Sequence, residues 1–221
     1  MIRGFASLAL LLVVTACGGS SASPAASGPV VSPMPAGTYT SSAFQPAVTF
    51  TVPDGWAKPA DTAPYLQLIP AGSDVLGIHL FRAVVAASQD PACPATPEPG
   101  VGTTSTDLVA WLRARPGLVV GTPVMATVGG LRGVSIDVAI KNGWTTSCPF
   151  AGGSPTVPLI TSKAADYHWV IVGNERLRFY VLDLPGGGTV IVDVDAYDGT
   201  QFDALVRSAA PIVRSMQFAT S

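Results

Sequence analysis

The stretch from Leu177 to Met216, LRFYVLDLPGGGTVIVDVDAYDGTQFDALVRSAAPIVRSM, decides the fold class. Its first half holds two apolar-rich strands, Leu177 to Leu184 and Thr189 to Ala196, turned at Pro185 to Gly188. Its second half changes period. Phe202, Leu205, Val206, Ala209, Ile212, Val213 and Met216 fall on one stripe at helical spacing. Pro211 lies inside that stripe and predicts a kink or a division into two short helices. A hairpin followed by an amphipathic helix predicts an antiparallel sheet with a helix laid on its face.

Working upstream, Trp169 to Val172 adds a third strand to this meander after a turn at Gly173-Asn174. Val119 to Val128 and Leu131 to Lys141 read as a hairpin closed by Gly129-Gly130. A short helix, capped by Ser105 or Thr106 and carrying Leu108, Trp111 and Leu112 on one face, stops at Pro116-Gly117. Val48, Phe50 and Val52 alternate with threonines as a half-buried strand that ends in a Pro53-Asp54-Gly55 turn. Tyr65 to Ile69 and Val75 to Val84 are two further strands, the second apolar on both faces and hence central. Asp90 to Thr103 and Gly143 to Ala165 read as irregular. The expected architecture is α+β, an antiparallel sheet with helices packed on it, with a β-sandwich bearing a C-terminal helix as the alternative. The segments VTFTVPDGW (48–56), TDLVAWLRARPG (106–117), VGGLRGVSIDV (128–138) and the closing RSMQF (214–218) resemble uncharacterised bacterial lipoproteins. In element order, residues 40–218 also resemble the Mog1/PsbP-like α/β sandwich. That resemblance implies an adaptor or assembly role and carries no catalytic motif.

The N-terminus supplies an address. Arg3 precedes an apolar run, Leu8 to Val14, too short to span a membrane, and Val14-Thr15-Ala16-Cys17 resembles a bacterial lipobox. Residues 1–16 read as a lipoprotein signal peptide, with Cys17 becoming the lipidated first residue. Residues 17–37 read as a Gly/Ser/Ala/Pro tether that spans roughly 25 Å as a flexible coil, and 38–221 as one globular domain. The expected location is the extracytoplasmic face of the cell membrane, held by lipid on Cys17. Loss of Arg3 leaves 11 basic against 14 acidic side chains, a net charge of about −3, so neither nucleic acid nor a charged surface is the expected partner.

Two further cysteines, Cys93 and Cys148, are expected to form one disulfide in an oxidising compartment. Closing that loop removes roughly 4 kcal/mol of unfolded-state entropy. The rival is a redox or metal site, which lacks a CxxC pair.

No GxSxG, HExxH, P-loop or dinucleotide motif occurs. The chain therefore reads as a non-enzyme that needs no cofactor. Asp193 and Asp195 share one strand face, and Asp198 stands where the last helix begins. The three could ligate a metal such as Ca²⁺, although the spacing departs from an EF-hand loop. The alternative is cross-strand pairing of these acids and Asp137 with Arg176 and Arg178, plus a helix cap by Asp198. A hydrolase carboxylate pair is also conceivable, but no cleft is legible around it. His79, among Ile78, Leu80 and Phe81, reads as a core histidine. Trp144 and His168 are the candidate interaction residues, beside the long irregular segment. The expected function is a membrane-anchored interaction or accessory module, partnered by another envelope protein. The alternative is a small-ligand or metal-binding surface lipoprotein.

Overall fold

Strands β1 (Gly37–Thr40), β2 (Val48–Val52), β3 (Trp56–Asp61), β4 (Tyr65–Pro70), β5 (Leu76–Arg82) and β6 (Val84–Ala86) open the fold in the computed structural model. Helix α1 (Ser105–Arg113) follows, then β7 (Leu118–Val120), β8 (Val124–Val128), β9 (Leu131–Ile140), β10 (Thr156–Ser162), β11 (His168–Val172), β12 (Arg176–Asp183) and β13 (Thr189–Ala196). Helix α2 (Phe202–Ser215) and the short β14 (Gln217–Phe218) close it. The structure describes residues 31–162 and 167–219. The signal peptide, Cys17 and most of the tether lie outside the described residues. Among those described, no helix is long and apolar enough to cross a membrane.

An eight-stranded antiparallel sheet, ordered β3-β4-β5-β13-β12-β9-β7 with β8 also pairing β9, forms the central layer. Helix α2 and a three-stranded sheet, β1-β2-β14, cover one face. Helix α1 and a second three-stranded sheet, β11-β10-β6, cover the other. The fold is thus α+β, with an antiparallel sheet carrying helices on both faces. Alternation along β13 divides its side chains between the two cores. Val190, Val192, Val194 and Ala196 point to α2, whereas Ile191, Asp193 and Asp195 point to the opposite side. Helix α2 buries Phe202, Leu205, Ala209, Ile212 and Val213 against the valines.

Several elements differ from the expectation. The run Val75 to Val84 breaks at Ala83, whose φ of 57° turns the chain out of the central sheet. Val84–Ala86 then pairs with β10 instead. The segment 143–165 holds β10, every residue of which is buried at the centre of the second sheet. Pro155 and Pro158 concealed that strand; the ladder accommodates Pro158 through a register shift before Ile160. Strand β11 pairs with β10 and not with β12, so the three strands are not one meander. Residues Val119 to Val128 form two strands, because Gly121-Thr122-Pro123 interrupts them. Trp56–Asp61 is an additional strand, whose Pro59 falls at an irregularity of the sheet edge. Helix α2 runs through Pro211 undivided. The helix α1 cap is Thr104, which forms a capping box with Asp107. Structure already begins at Met34, whose N–H donates to the carbonyl of Trp56 at 2.7 Å.

Other features follow the sequence closely. Val128 and Leu131 face each other across Gly129-Gly130, both at positive φ, as a two-residue hairpin requires. Cys93 and Cys148 are disulfide-bonded with Cα atoms 5.6 Å apart. The bond ties the Pro-rich loop after β6 to the segment leading into β10.

Candidate functional site

The register of three neighbouring strands builds a polar patch into the second core. Phe179 and His79 flank Asp193, and Leu177 and Gly77 flank Asp195. Arg178 lies opposite Val194, so the arginines share a face with the valines and not with the aspartates. This corrects the expected pairing of the arginines with Asp193 and Asp195. Arg178 makes the expected cross-strand pair with Asp137, two hydrogen bonds at 2.6 and 2.8 Å, and Arg176 stacks over the ring of Phe202 at 4.3 Å. Asp193 and Asp195 are thereby left inside the protein with no Lys or Arg partner among the described residues.

The three aspartates read as metal ligands are not brought together. Asp193 is 0% and Asp195 8% exposed. Asp198 lies at the surface, accepting from the Thr200 N–H at 3.0 Å and from Asn174 Nδ2 at 3.2 Å. Those bonds, the Thr200 N–H foremost, hold its carboxyl below the ordinary range. It caps the 3₁₀ turn that leads into α2. Among the described residues, no group of three or more His, Cys, Asp or Glu is placed to hold a metal ion.

A different acid completes the patch. Glu175, in the turn before β12, is buried, and its Oε2 accepts from the Val172 N–H at 2.7 Å. Its side chain also interacts with that of Asp195. Nothing in the local sequence marks Glu175, because the tight turn between β11 and β12 is what brings it under the sheet. His79 joins from β5. Its Nδ1 lies 2.8 Å from the Tyr65 hydroxyl and its Nε2 3.9 Å from Asp195 Oδ2. The His79 ring is packed 4.7 Å from that of Trp169 on β11, which in turn lies 4.9 Å from Phe81. His79 is therefore a core residue that also borders the acids.

Burial sets the electrostatics. It pushes Asp195 up to about 11, with the charges of Asp193 and Glu175 adding to the effect. It also raises Asp193 and Glu175; Glu175's charge reinforces the rise at Asp193, while bonds from Asp195 and Val172 moderate it at Glu175. It lowers His79 to about 3. At neutral pH His79 and Asp195 are both uncharged, and their contact is not an ion pair.

The polar atoms of this patch are incompletely paired. Both Asp193 oxygens, Asp195 Oδ1, Trp169 Nε1 and His168 Nε2 are buried without a full hydrogen bond. The Trp169 indole leans toward Asp193 and moderates its carboxyl, yet falls short of bonding geometry. Beside them opens a cleft of about 420 Å³, walled by Tyr65, His79, Phe150, Trp169, Glu175 and Asp195. This cleft is not legible in the sequence around these carboxylates. It exists because β11 belongs to the second sheet and stands over β4 and β5. Phe150, two residues beyond the disulfide, closes one side with its ring 6.4 Å from His168.

The two candidate interaction residues part company. His168 lines the cleft, and burial lowers its imidazole from the ordinary value. Trp144 is held by structure. Its Nε1 donates to the Thr156 carbonyl at 3.0 Å and its ring packs on the second core. A Cβ at Gly117 would lie 2.6 Å from that ring, so the glycine is required for its seat.

No family model and no curated protein matches the chain. Among solved structures it is similar to the solution structure of cyanobacterial PsbP (CyanoP) from Synechocystis sp. PCC 6803. That likeness has 10% identity and a TM-score of 0.40, over 91% of this chain and all of that one. A crystal structure from Bacteroides thetaiotaomicron VPI-5482 is similar at 6% identity and a TM-score of 0.32, over 78% of this chain and 45% of that one.

Proposed function

We propose that the chain is a lipid-anchored binding module of the extracytoplasmic face, and that the cleft beside Asp195 is its ligand site. One observation carries this reading. Asp195, nine-tenths buried, lines the wall of an open cleft, while its Oδ1 and, behind it, both Asp193 oxygens are buried without a hydrogen-bond partner. Each buried polar group without a partner costs roughly 1–3 kcal/mol. A ligand that supplies hydrogen-bond donors removes that cost on binding. Aromatic walls with a few convergent polar groups are what small-molecule sites are made of. The Cys17 lipobox and the Cys93–Cys148 bond support an exported, membrane-held location.

Thermal unfolding of the full chain in detergent, against a panel of amines, polyols and carboxylates, tests the site. A ligand at a hundredfold its dissociation constant stabilises by about 2.7 kcal/mol, a shift of a few degrees. The expected result is a saturable shift from one chemical class that disappears in Trp169→Ala while the fold persists. A flat panel contradicts the proposed site. The anchor is tested separately by Cys17→Ser, expected to move the protein from the membrane fraction to the soluble one. An intact, unmodified residue 1 in the mature wild-type protein contradicts it.

A further inference from the structure

We infer that the ligand is an organic cation, an alkyl ammonium or guanidinium whose charged head seats between Asp195 and Glu175 and whose carbon body lies along Trp169 and Phe150. The inference rests on the cleft being a ligand site and adds the chemistry that the site selects.

Charge complementarity points to a cation. Asp193, Asp195 and Glu175 crowd together, and among the described residues no Lys or Arg lies within ion-pair distance of any of them. The basic side chains nearest in sequence, Arg176 and Arg178, are committed on the other face of the sheet. The one histidine in contact, His79, is uncharged at neutral pH because it is buried. Once they give up a proton, carboxyls that have no counterion among the described residues hold a positive head in a low-dielectric site more strongly than any neutral group.

Donor geometry points to nitrogen and away from a bare ion. The oxygens are not gathered around one point: among the described residues no three acidic, imidazole or thiol groups are placed to ligate a single metal. An ammonium carries three N–H donors and a guanidinium five, spread over several ångströms. Such a head spans the Asp195 and Glu175 carboxyls, which line the cleft together. The rings of Trp169, Tyr65 and Phe150 line the same cleft and offer π faces to the cation and apolar contact to its carbon chain.

Entry of the cation is coupled to proton release. The titratable groups that face the head are Tyr65 from β4, His79 from β5, His168 from β11, Glu175 from the turn before β12, and Asp193 and Asp195 from β13. Asp74 and Tyr197 stand at the rim. Burial holds the Asp195 carboxyl protonated and raises those of Asp193 and Glu175, and a cation between Asp195 and Glu175 favours their ionised forms. The affinity is therefore expected to rise with pH.

The test is calorimetric titration of the full chain in detergent with agmatine and with putrescine, against 1,4-butanediol and glucose as neutral comparators. Agmatine is expected to bind saturably, with release of a proton that appears as a dependence of the measured heat on buffer ionisation enthalpy. Its affinity is expected to rise at least tenfold between about pH 5 and pH 8, and to fall at least tenfold in Asp195→Asn and in Glu175→Gln. Circular dichroism confirms that both variants fold. Binding of glucose or butanediol to wild type but not to Trp169→Ala, with no binding of the amines, overturns the cation and leaves the cleft as a site. Absence of binding by all four probes overturns both. Equal amine affinity in wild type and both carboxyl variants also overturns the cation seat.

Discussion

His79 and Asp195 meet diagonally across the β5–β13 ladder, one pair of positions out of register, with 3.9 Å between Nε2 and Oδ2, and burial keeps both uncharged at neutral pH. The unfolded chain releases the Asp195 proton near pH 3.9, whereas the folded one holds it to about 11. Between those values the folded state binds more protons, so this residue lowers stability as pH rises. His79 acts with the opposite sign. Its folded value of about 3 lies below the ordinary one near 6.5, so its effect on stability worsens as pH falls through that interval.

Asp195→Asn is accordingly expected to stabilise the protein. The amide keeps the shape and has no proton to hold. At about pH 8 the gain is expected to be about 1–3 kcal/mol, several degrees in melting temperature, and to shrink toward zero near pH 4. Thermal unfolding of both proteins across that range checks it. A variant less stable than wild type at pH 8 contradicts the assignment of an uncharged Asp195.

Asp61 is the contrasting acid. Burial pushes it up, but Lys58 at 2.7 Å and the N–H groups of Ser42 and Phe44 outweigh that and hold it well below the ordinary range. Its oxygens gather the loop from Ser42 to Phe44 at the end of β3. Asp61→Asn is expected to cost about 2 kcal/mol at neutral pH. A depressed acid contributes above its unfolded value and loses the contribution as pH falls, so the difference should narrow below about pH 4. Urea unfolding at both extremes measures it.

Trp144→Ala distinguishes a packed ring from a docking anchor. Loss of the Thr156 bond and of the ring on the second core is expected to cost about 3–4 kcal/mol. An unchanged melting temperature would restore Trp144 to the surface role that its loop position suggests.

Replacing Cys93 and Cys148 together with serine is expected to cost about 2–4 kcal/mol, visible as a lower urea midpoint. Because Phe150 follows Cys148 by two residues and closes the cleft beside His168, agmatine binding should weaken in the same variant. Full retention of affinity would show that the disulfide plays no part in shaping the cleft.

The sheet was legible where periodicity is local. Val48, Phe50 and Val52 alternate with threonines, the α2 stripe repeats at helical spacing, and Gly129-Gly130 dictates a two-residue turn. It was illegible where proline masks pairing. Strand β10 lies between Pro155 and Ser162 and is wholly buried, yet Pro158 within it reads as loop. The candidate site was half legible: Asp193, Asp195 and His168 stood out, while Glu175, Tyr65 and Trp169 join them only through strand order.

Composition and local pattern alone determined the class of fold, the signal-like N-terminus, the two cysteines available to pair and the shared face of Asp193 and Asp195, because each depends on neighbours within a few residues. Only the tertiary structure decided which way that face points. A strand's period of two states that alternate residues share a side, but not which side the core helix will cover. Packing of α2 on the valines turned the aspartates inward under β11, and so made a buried, unpaired acid cluster out of what reads as a polar edge.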